Sequence, residues 1–278
     1  MDADLRAASR PAPAQRTPAA LARAVPVPGW YVLVVQPLLV WLQRTGRVPT
    51  LVVVRRFGAW IELDLEDYVQ RKIFCHSHQA RELRFLARAC RPGDVVVDVG
   101  ANVGIFTLVA ARATSPTGTV HAFEPVPATF ETLRRNVRRN GLAGVHAKQL
   151  ACSDGAGTIS LGVAGPVVDT GGFSRHGRHH TVTVPAVRLD DELDGRSIRL
   201  LKLDVEGDEW RALDGLERTL TTSPPDVLLV EFSRTPSRRK AGAARASRSG
   251  CEAWVRALHD QRGRQAEGLL SAHAAGSE

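Results

Sequence analysis

Fourteen residues, Val95-Val-Val-Asp-Val-Gly-Ala-Asn-Val-Gly-Ile-Phe-Thr-Leu108, constrain the fold of this chain more than any other stretch. Val95 to Val97 and Val99 form an almost unbroken β-branched run, as a parallel strand covered on both faces requires. Asp98 is the polar exception near its carboxyl end. Gly100 and Gly104 permit a tight turn and a close backbone approach to a ligand. Beyond Val103 the apolar spacing changes, and Phe106, Val109, Ala110 and Ala113 suit a helix packed back on the strand. Strand, glycine turn and helix start in this order predict an α/β fold with a nucleotide-like ligand over the turn. A βα turn whose glycines serve the backbone alone is the plainer alternative.

The following segments repeat the pattern. A second strand, Thr119 to Phe123, ends at Glu124, 24 residues after Gly100. That interval is close to the one at which a carboxylate closing the second strand of a doubly wound sheet bonds ribose hydroxyls; a solvated strand end is the alternative. Pro125 and Pro127 stop the strand, Phe130, Leu133 and Val137 stripe the next helix, and Gly141 ends it. A third strand from Val145 to Leu150 brings Ala151, Cys152, Ser153 and Asp154 to the same edge. There Asp154 either accepts from an adenine amino group or forms a plain turn with Gly155. The run Ile198-Arg-Leu-Leu-Lys-Leu-Asp-Val-Glu-Gly-Asp-Glu-Trp210 reads as a buried strand ending in Asp204 and Glu206, then a glycine and a helix marked by Trp210, Leu213, Leu216 and Leu220. Strand carboxyl ends face the crevice of an open α/β sheet, so Asp98, Glu124 and Asp204 are expected on one rim. Glu206 either turns toward that rim or caps the helix. Asp226 to Val230 supplies a further strand before Glu231.

The flanks divide differently. Residues 1–28 are rich in Ala, Pro and Arg and read as a disordered lead-in. Residues 29–91 form an N-terminal extension that starts with the apolar run Trp30 to Leu42, too short for an ordinary transmembrane helix and interrupted by Gln36 and Pro37. No small-residue cleavage site follows it before Gln43 and Arg44, which weighs against a secretory signal. Packing on the domain and weak association with a membrane surface through residues 30–42 both stay open. Thr50 to Val54 and Ala59 to Leu63 predict a hairpin around Arg55-Arg56-Phe57-Gly58. Asp67 to Phe74 and Ala80 to Cys90 have helical character before Pro92 and Gly93. The main domain is expected over 92–278.

Within that domain, strands at Thr158–Val163 and Thr181–Val187 bracket a glycine- and histidine-rich segment with Arg175, His176, His179 and His180, which reads as a lid or acceptor loop or as a solvated basic loop. A basic low-complexity insertion covers 233–250, Cys251 to His259 suits a helix, and the tail 261–278 is expected to be flexible, with no convincing strand. The formal net charge of +8 favours an anionic ligand or surface without identifying one. The basic segment has no interleaved aromatics, which argues against nucleic acid. Cys75, Cys90, Cys152 and Cys251 form no CxxC pair, so free thiols in a reducing, cytoplasmic setting are expected rather than a zinc site or a disulfide scaffold.

Together, Val95 to Leu108, His121-Ala-Phe-Glu-Pro-Val-Pro127 with Phe130, Leu133 and Asn136, Leu189-Asp-Asp191, and Leu200-Leu-Lys-Leu-Asp-Val-Glu-Gly-Asp-Glu209 resemble the FkbM family of S-adenosylmethionine-dependent methyltransferases over roughly residues 64 to 232. The resemblance implies a class I methyltransferase, Rossmann-like central sheet with flanking helices, and O-methylation of a sugar or natural-product hydroxyl. It implies that Asp98, Gly100, Asn102 and Gly104 surround the amino-acid portion of S-adenosylmethionine, that Glu124 holds the ribose and that Pro125 lies beside the adenine. Ser153 and Asp154 resemble the family's Ser-Asp pair near the base, and Asp204 and Glu206 its acidic pair at the methyl-transfer side. Asn136 is expected to support the fold. Asp204 is then the first candidate to receive the acceptor's proton, Glu206 the second, and His176, His179 or His180 looser ones. No metal-ligand spacing is recognisable, although the acidic rim could instead hold a divalent cation.

The turn Gly-Ala-Asn-Val-Gly is not Gly-x-Gly-x-x-Gly, which weakens a nicotinamide reading. The strand ending Asp-Val-Glu-Gly lacks the Asn-Pro-Pro-Tyr type motif of methyltransferases acting on base amino groups. A non-catalytic S-adenosylmethionine-binding protein on the same fold is the main rival. The chain departs from the family in its histidine-rich segment, in the arginine-rich insertion, and in a C-terminus with little material for the expected closing antiparallel strands.

Overall fold

The computed structural model describes residues 36–75, 79–163, 173–174, 180–193, 195–231 and 268–271. The first element, α1 (Gln36–Arg44), begins at Gln36 and Pro37, the two residues that interrupt the apolar run. Pro37 lies in its first turn, where a helix loses nothing by the missing N–H. The hairpin follows as β1 (Leu51–Arg56) and β2 (Ala59–Asp64), paired antiparallel with Arg56 opposite Ala59. Its two-residue turn has φ of 46° at Phe57 and 83° at Gly58, the left-handed pair that matches the twist of a tight hairpin. Next come α2 (Tyr68–Phe74), capped by the Asp67 carboxylate, which accepts the Gln70 N–H at 2.8 Å, and α3 (Ala80–Ala89).

The main domain continues with β3 (Val95–Val99), α4 (Ile105–Thr114), β4 (Thr119–Phe123), α5 (Pro127–Arg139) and β5 (Val145–Lys148). Four strands then form outside that run: β6 (Ala151–Cys152), β7 (Gly157–Val163), β8 (Phe173–Ser174) and β9 (His180–Val187). The chain proceeds through α6 (Leu189–Glu192), β10 (Leu200–Leu203), α7 (Glu209–Asp214), α8 (Glu217–Thr222), β11 (Val227–Val230) and β12 (Gly268–Ser271).

Six strands make the central sheet in the order β12-β11-β10-β3-β4-β5, parallel throughout except for β12. The chain winds outward from β3 to β5, then returns to lay β10 on the other side of β3. The β3/β10 boundary is therefore the switch point where α/β sheets bind ligands outside their strand ends. Period-two alternation sends Val96 and Leu200 to one apolar cluster, and Val97, Val99, Leu201 and Leu203 to another. The first cluster runs without a break from Leu39, Ile61 and Phe74 of the N-terminal extension to Leu108 and Val120.

Asn136 on α5 and Asn140 at its C-cap seal the outer edge of β2. Their side-chain oxygens accept the Glu62 and Trp60 N–H groups at 2.7 and 2.8 Å, in place of a further strand.

The structure revises several expectations. The tail read as lacking a strand contributes β12, antiparallel to β11 with Val227 opposite Ser271; a four-residue edge strand needs too little sequence to leave a periodic signature. The third strand stops at Lys148, and Ala151–Cys152 joins the second sheet, ordered β6-β9-β7-β8. The single helix expected after β10 divides at Gly215, where a Cβ would stand 2.1 Å from the Ser153 carbonyl oxygen. Asp190 restarts it as α8, accepting the Arg218 and Thr219 N–H groups at 2.8 Å each.

Candidate functional site

At the end of β3 the backbone turns through Gly100 at φ 75°. A Cβ at Gly100 would lie 1.8 Å from the Asp204 carbonyl oxygen, so only glycine lets the ends of β3 and β10 come this close. At Gly104, with φ 94°, a Cβ would meet the Leu133 side chain at 2.5 Å, and glycine there lets α5 pack against the start of α4. Asn102 between them is left-handed at φ 53°; its side-chain oxygen accepts the Val103 N–H at 2.7 Å.

Glu124, immediately after β4, fixes the same turn. One carboxylate oxygen accepts the Asn102 N–H and the other the Val126 N–H, both at 2.9 Å. Only 6% of Glu124 is exposed, and burial pushes its carboxyl up to about 7 despite those two hydrogen bonds.

A cavity of about 270 Å³ opens over these strand ends. Of the residues picked out in the sequence, Gly100, Asn102, Glu124, Pro125, Asp204 and Glu206 line it. Four do not. Asp98 is fully buried beneath the floor and accepts from the Thr107 hydroxyl at 2.5 Å, and Gly104 faces α5. Ser153 and Asp154, expected against an adenine, instead tie β6 to α7: Arg211 donates to the Asp154 carboxylate at 2.6 Å and to the Ser153 hydroxyl at 3.3 Å. His176 and His179 lie outside the described residues, and of His180 only the backbone, at the start of β9, is described.

The site also contains residues that the sequence reading passed over. Lys202 is the Cα partner of Asp98 across β3 and β10, so both side chains stand on one face of the sheet, joined two residues later by Asp204. The Lys202 ammonium lies 3.1 Å from the Asp204 carboxylate, 3.7 Å from that of Asp98 and 3.4 Å from the Gly100 carbonyl, with the Phe106 ring 5.6 Å away. Burial alone would lower its pKa, but Asp204 and Asp98 outweigh it and hold the ammonium above its usual value. Burial raises the Asp98 carboxyl against the pull of Lys202.

Gln79, left-handed at φ 42°, donates to the same Asp204 oxygen at 3.4 Å and to Glu231 at 2.9 Å. Among the described residues, every side chain that bonds the Asp204 carboxylate does so through Oδ2. A lysine inside the otherwise apolar run Leu200-Leu-Lys-Leu was the signal that could have flagged Lys202; nothing in the sequence pointed to Gln79. The remaining walls are apolar or mixed: Val126, Leu150, Ile159 and Leu161 on one side, and Tyr68, Val69, Lys72 and Ile73 of α2 on the other.

Cys75, Cys90 and Cys152 are free, buried thiols; burial pushes Cys75 up to about 12 and Cys90 up to about 11, which makes poor nucleophiles. Among the described residues no three His, Cys, Asp or Glu side chains gather as metal ligands, and no helix is long and apolar enough to cross a membrane.

Residues 98–263 match the model of the methyltransferase FkbM domain. The chain is 35% identical over 187 residues to the 31-O-demethyl-FK506 methyltransferase FkbM of Streptomyces tacrolimicus, covering 54% of this chain and 68% of that one. It is 28% identical over 141 residues to the hexuronic acid methyltransferase AglP of Haloferax volcanii, covering 50% and 56% respectively. Among solved structures, the methyltransferase FkbM of Methylobacillus flagellatus aligns at a TM-score of 0.38 and 17% identity, covering 73% of this chain and 50% of that one. The chain therefore spans roughly half to two thirds of the length of these proteins.

Proposed function

Because this chain belongs to the FkbM family of S-adenosylmethionine-dependent methyltransferases, we propose that it transfers a methyl group to a hydroxyl oxygen of a sugar or natural product. The observation that carries this reading is the convergence of the ends of β3, β4 and β10 on one cavity, with Gly100, Glu124 and Asp204 on its wall.

The residues suit the cofactor. S-adenosylmethionine brings a sulfonium whose methyl group is already activated, together with a positively charged amine. Five carboxylates among the lining residues, Glu124, Asp204, Glu206, Asp208 and Glu231, face two lysines, so the cavity is acidic inside a basic chain. Each Glu124 oxygen has capacity for a second hydrogen bond beyond its backbone N–H, which is what a ribose diol would use. Val126, Leu150, Ile159 and Leu161 offer an apolar slot for a purine, with Pro125 beside it. Asn102 and the Gly100 turn would border the amino-acid end. Asp98 would act from beneath, through Lys202, and Ser153 and Asp154 through the strand that they anchor.

An alcohol attacking the methyl group has to lose its proton. The Oδ1 of Asp204, which bonds no side chain among the described residues, would accept it, while Lys202 and Gln79 hold the carboxylate from the other oxygen; Glu206, at φ 53° just beyond, is the second candidate. The apolar walls and α2 would keep water from competing.

The test is labelled-methyl transfer to a panel of hydroxylated macrolides and glycosides, run on the wild type and Asp204→Ala. Transfer by the wild type and a loss of about 100-fold or more in the variant, with S-adenosylmethionine affinity kept within about threefold, supports the assignment. Equal turnover in the two proteins would remove Asp204 from the mechanism.

A further inference from the structure

The chain's charge is distributed unevenly. Residues 5–61 contain eight arginines, no lysine, and no aspartate or glutamate. The whole chain has 37 basic and 29 acidic side chains, so outside this segment the two signs balance. The same segment holds both of the large hydrophobic side chains that stand exposed among the described residues, Trp41 at 51% and Leu51 at 61%.

These features lie close together along the chain, and Leu51 stands opposite Asp64 across the hairpin. On α1, Leu39 is fully buried and anchors the helix, while Pro37, Trp41 and Arg44 form the exposed face at helical spacing. The short connection from α1 to β1 then carries Arg47, whose guanidinium sits 5.0 Å over the Trp41 ring, and leads to Leu51. Among the described residues neither Arg44 nor Arg47 pairs with a carboxylate, and the exposed Arg55 bonds only a backbone carbonyl. Unneutralised arginines beside an exposed tryptophan are the combination that partitions into the headgroup layer, the ring at the boundary and the guanidinium groups among phosphates. At nine residues α1 would lie on such a surface rather than span it.

We propose that this segment, with exposed Trp41 and Leu51 among Arg44, Arg47 and Arg55, docks the protein on a bilayer surface bearing anionic headgroups. This surface is separate from the methyl-transfer site, since none of these residues lines the cavity. A protein partner would be expected to meet the arginines with carboxylates in fixed register. A bilayer needs only the unbalanced charge and the apolar pair that the surface offers.

The experiment is co-sedimentation of the full chain with vesicles of phosphatidylcholine alone and of phosphatidylcholine with phosphatidylserine, with a structured RNA as a third arm. Binding to the phosphatidylserine vesicles at least about tenfold tighter than to phosphatidylcholine, and weakened by salt, is expected. Arg44→Glu with Arg47→Glu should cost about 25-fold or more, and Trp41→Ala about fivefold, with melting temperatures unchanged because all three side chains are exposed. Three outcomes would each overturn the proposal: equal or no partition of the wild type between the two vesicles, binding to RNA without binding to vesicles, or variants that partition like the wild type.

Discussion

Replacing Glu124 separates its two jobs, because its carboxylate is both a structural acceptor and the proposed ribose ligand. In Glu124→Ala the Asn102 and Val126 N–H groups, each now bonded at 2.9 Å, lose their acceptor. A buried donor left unpaired costs about 1–3 kcal/mol, so with two such donors the fold should lose about 2–6 kcal/mol. The lower half of that range is expected, because burial already pushes this carboxyl up to about 7 and removing it relieves a buried charge near neutrality. At ~2–4 °C per kcal/mol for a domain of this size, the melting temperature should fall by about 5–10 °C. Two charge-assisted bonds to a ribose at ~1.5 kcal/mol each would weaken S-adenosylmethionine by about 100-fold. Glu124→Gln keeps one acceptor oxygen and should fall between wild type and Glu124→Ala on both scales. Calorimetric titration and thermal denaturation of the three proteins read the two effects separately. Wild-type affinity in a Glu124→Ala protein that melts lower would show the residue to be purely structural and refute the ribose assignment. Since the carboxylate is the better acceptor, wild-type affinity should also rise as pH passes upward through about 7.

Further outcomes follow from the buried charges and polar groups. Lys202→Met leaves Asp98 and Asp204 without their shared ammonium and should destabilise the protein by about 3–5 kcal/mol, with much of the loss recovered in the Asp98→Asn/Lys202→Met double variant; a single variant as stable as wild type in thermal scans would contradict the triad. His121 is held down at about 4 by burial, with Arg196 adding to the effect, whereas an unfolded histidine titrates near 6.5. The unfolded chain therefore binds the proton first, and the His121 contribution is complete above about 6.5 and lost as pH falls toward 4, by up to about 3 kcal/mol. Glu124, whose pKa is raised, has the opposite slope between about 4.5 and 7, so the His121 effect is read from the difference between wild type and His121→Gln in denaturant titrations at several pH values; parallel profiles would refute it. Asn136→Ala strips the β2 edge and the Val103 carbonyl of their partner and should cost about 2–4 kcal/mol; an unchanged denaturation midpoint would discount that seal.

What the sequence made legible was the part written in continuous apolar runs. Val95–Val99 and Leu200–Leu203 are marked by β-branched or leucine runs and Thr119–Phe123 by a mostly apolar one, and the acidic residues closing them point to the edge of the sheet where the cavity opens. Gly100 was legible as a tight approach, although what approaches it is the backbone of Asp204. Less legible were features that depend on what tertiary contacts do with a side chain. Ser153 and Asp154 have the right neighbours in sequence, but a guanidinium on α7 claims them. Gln79 reaches the cavity from just before a helix marked only by an amphipathic stripe, across more than a hundred residues of chain. Asn140 gave no hint that it would stand in for a strand, because its partner edge belongs to a hairpin eighty residues earlier.

On the reading proposed above, the cavity over β3, β4 and β10 is an S-adenosylmethionine site. Its most direct test is a calorimetric titration of the wild-type protein with S-adenosylmethionine, S-adenosylhomocysteine and NAD in parallel. Saturable binding of the first two at a single site, with none of NAD, is the predicted result. Silence toward S-adenosylmethionine and S-adenosylhomocysteine, or binding of NAD in their place, would contradict the account at its base.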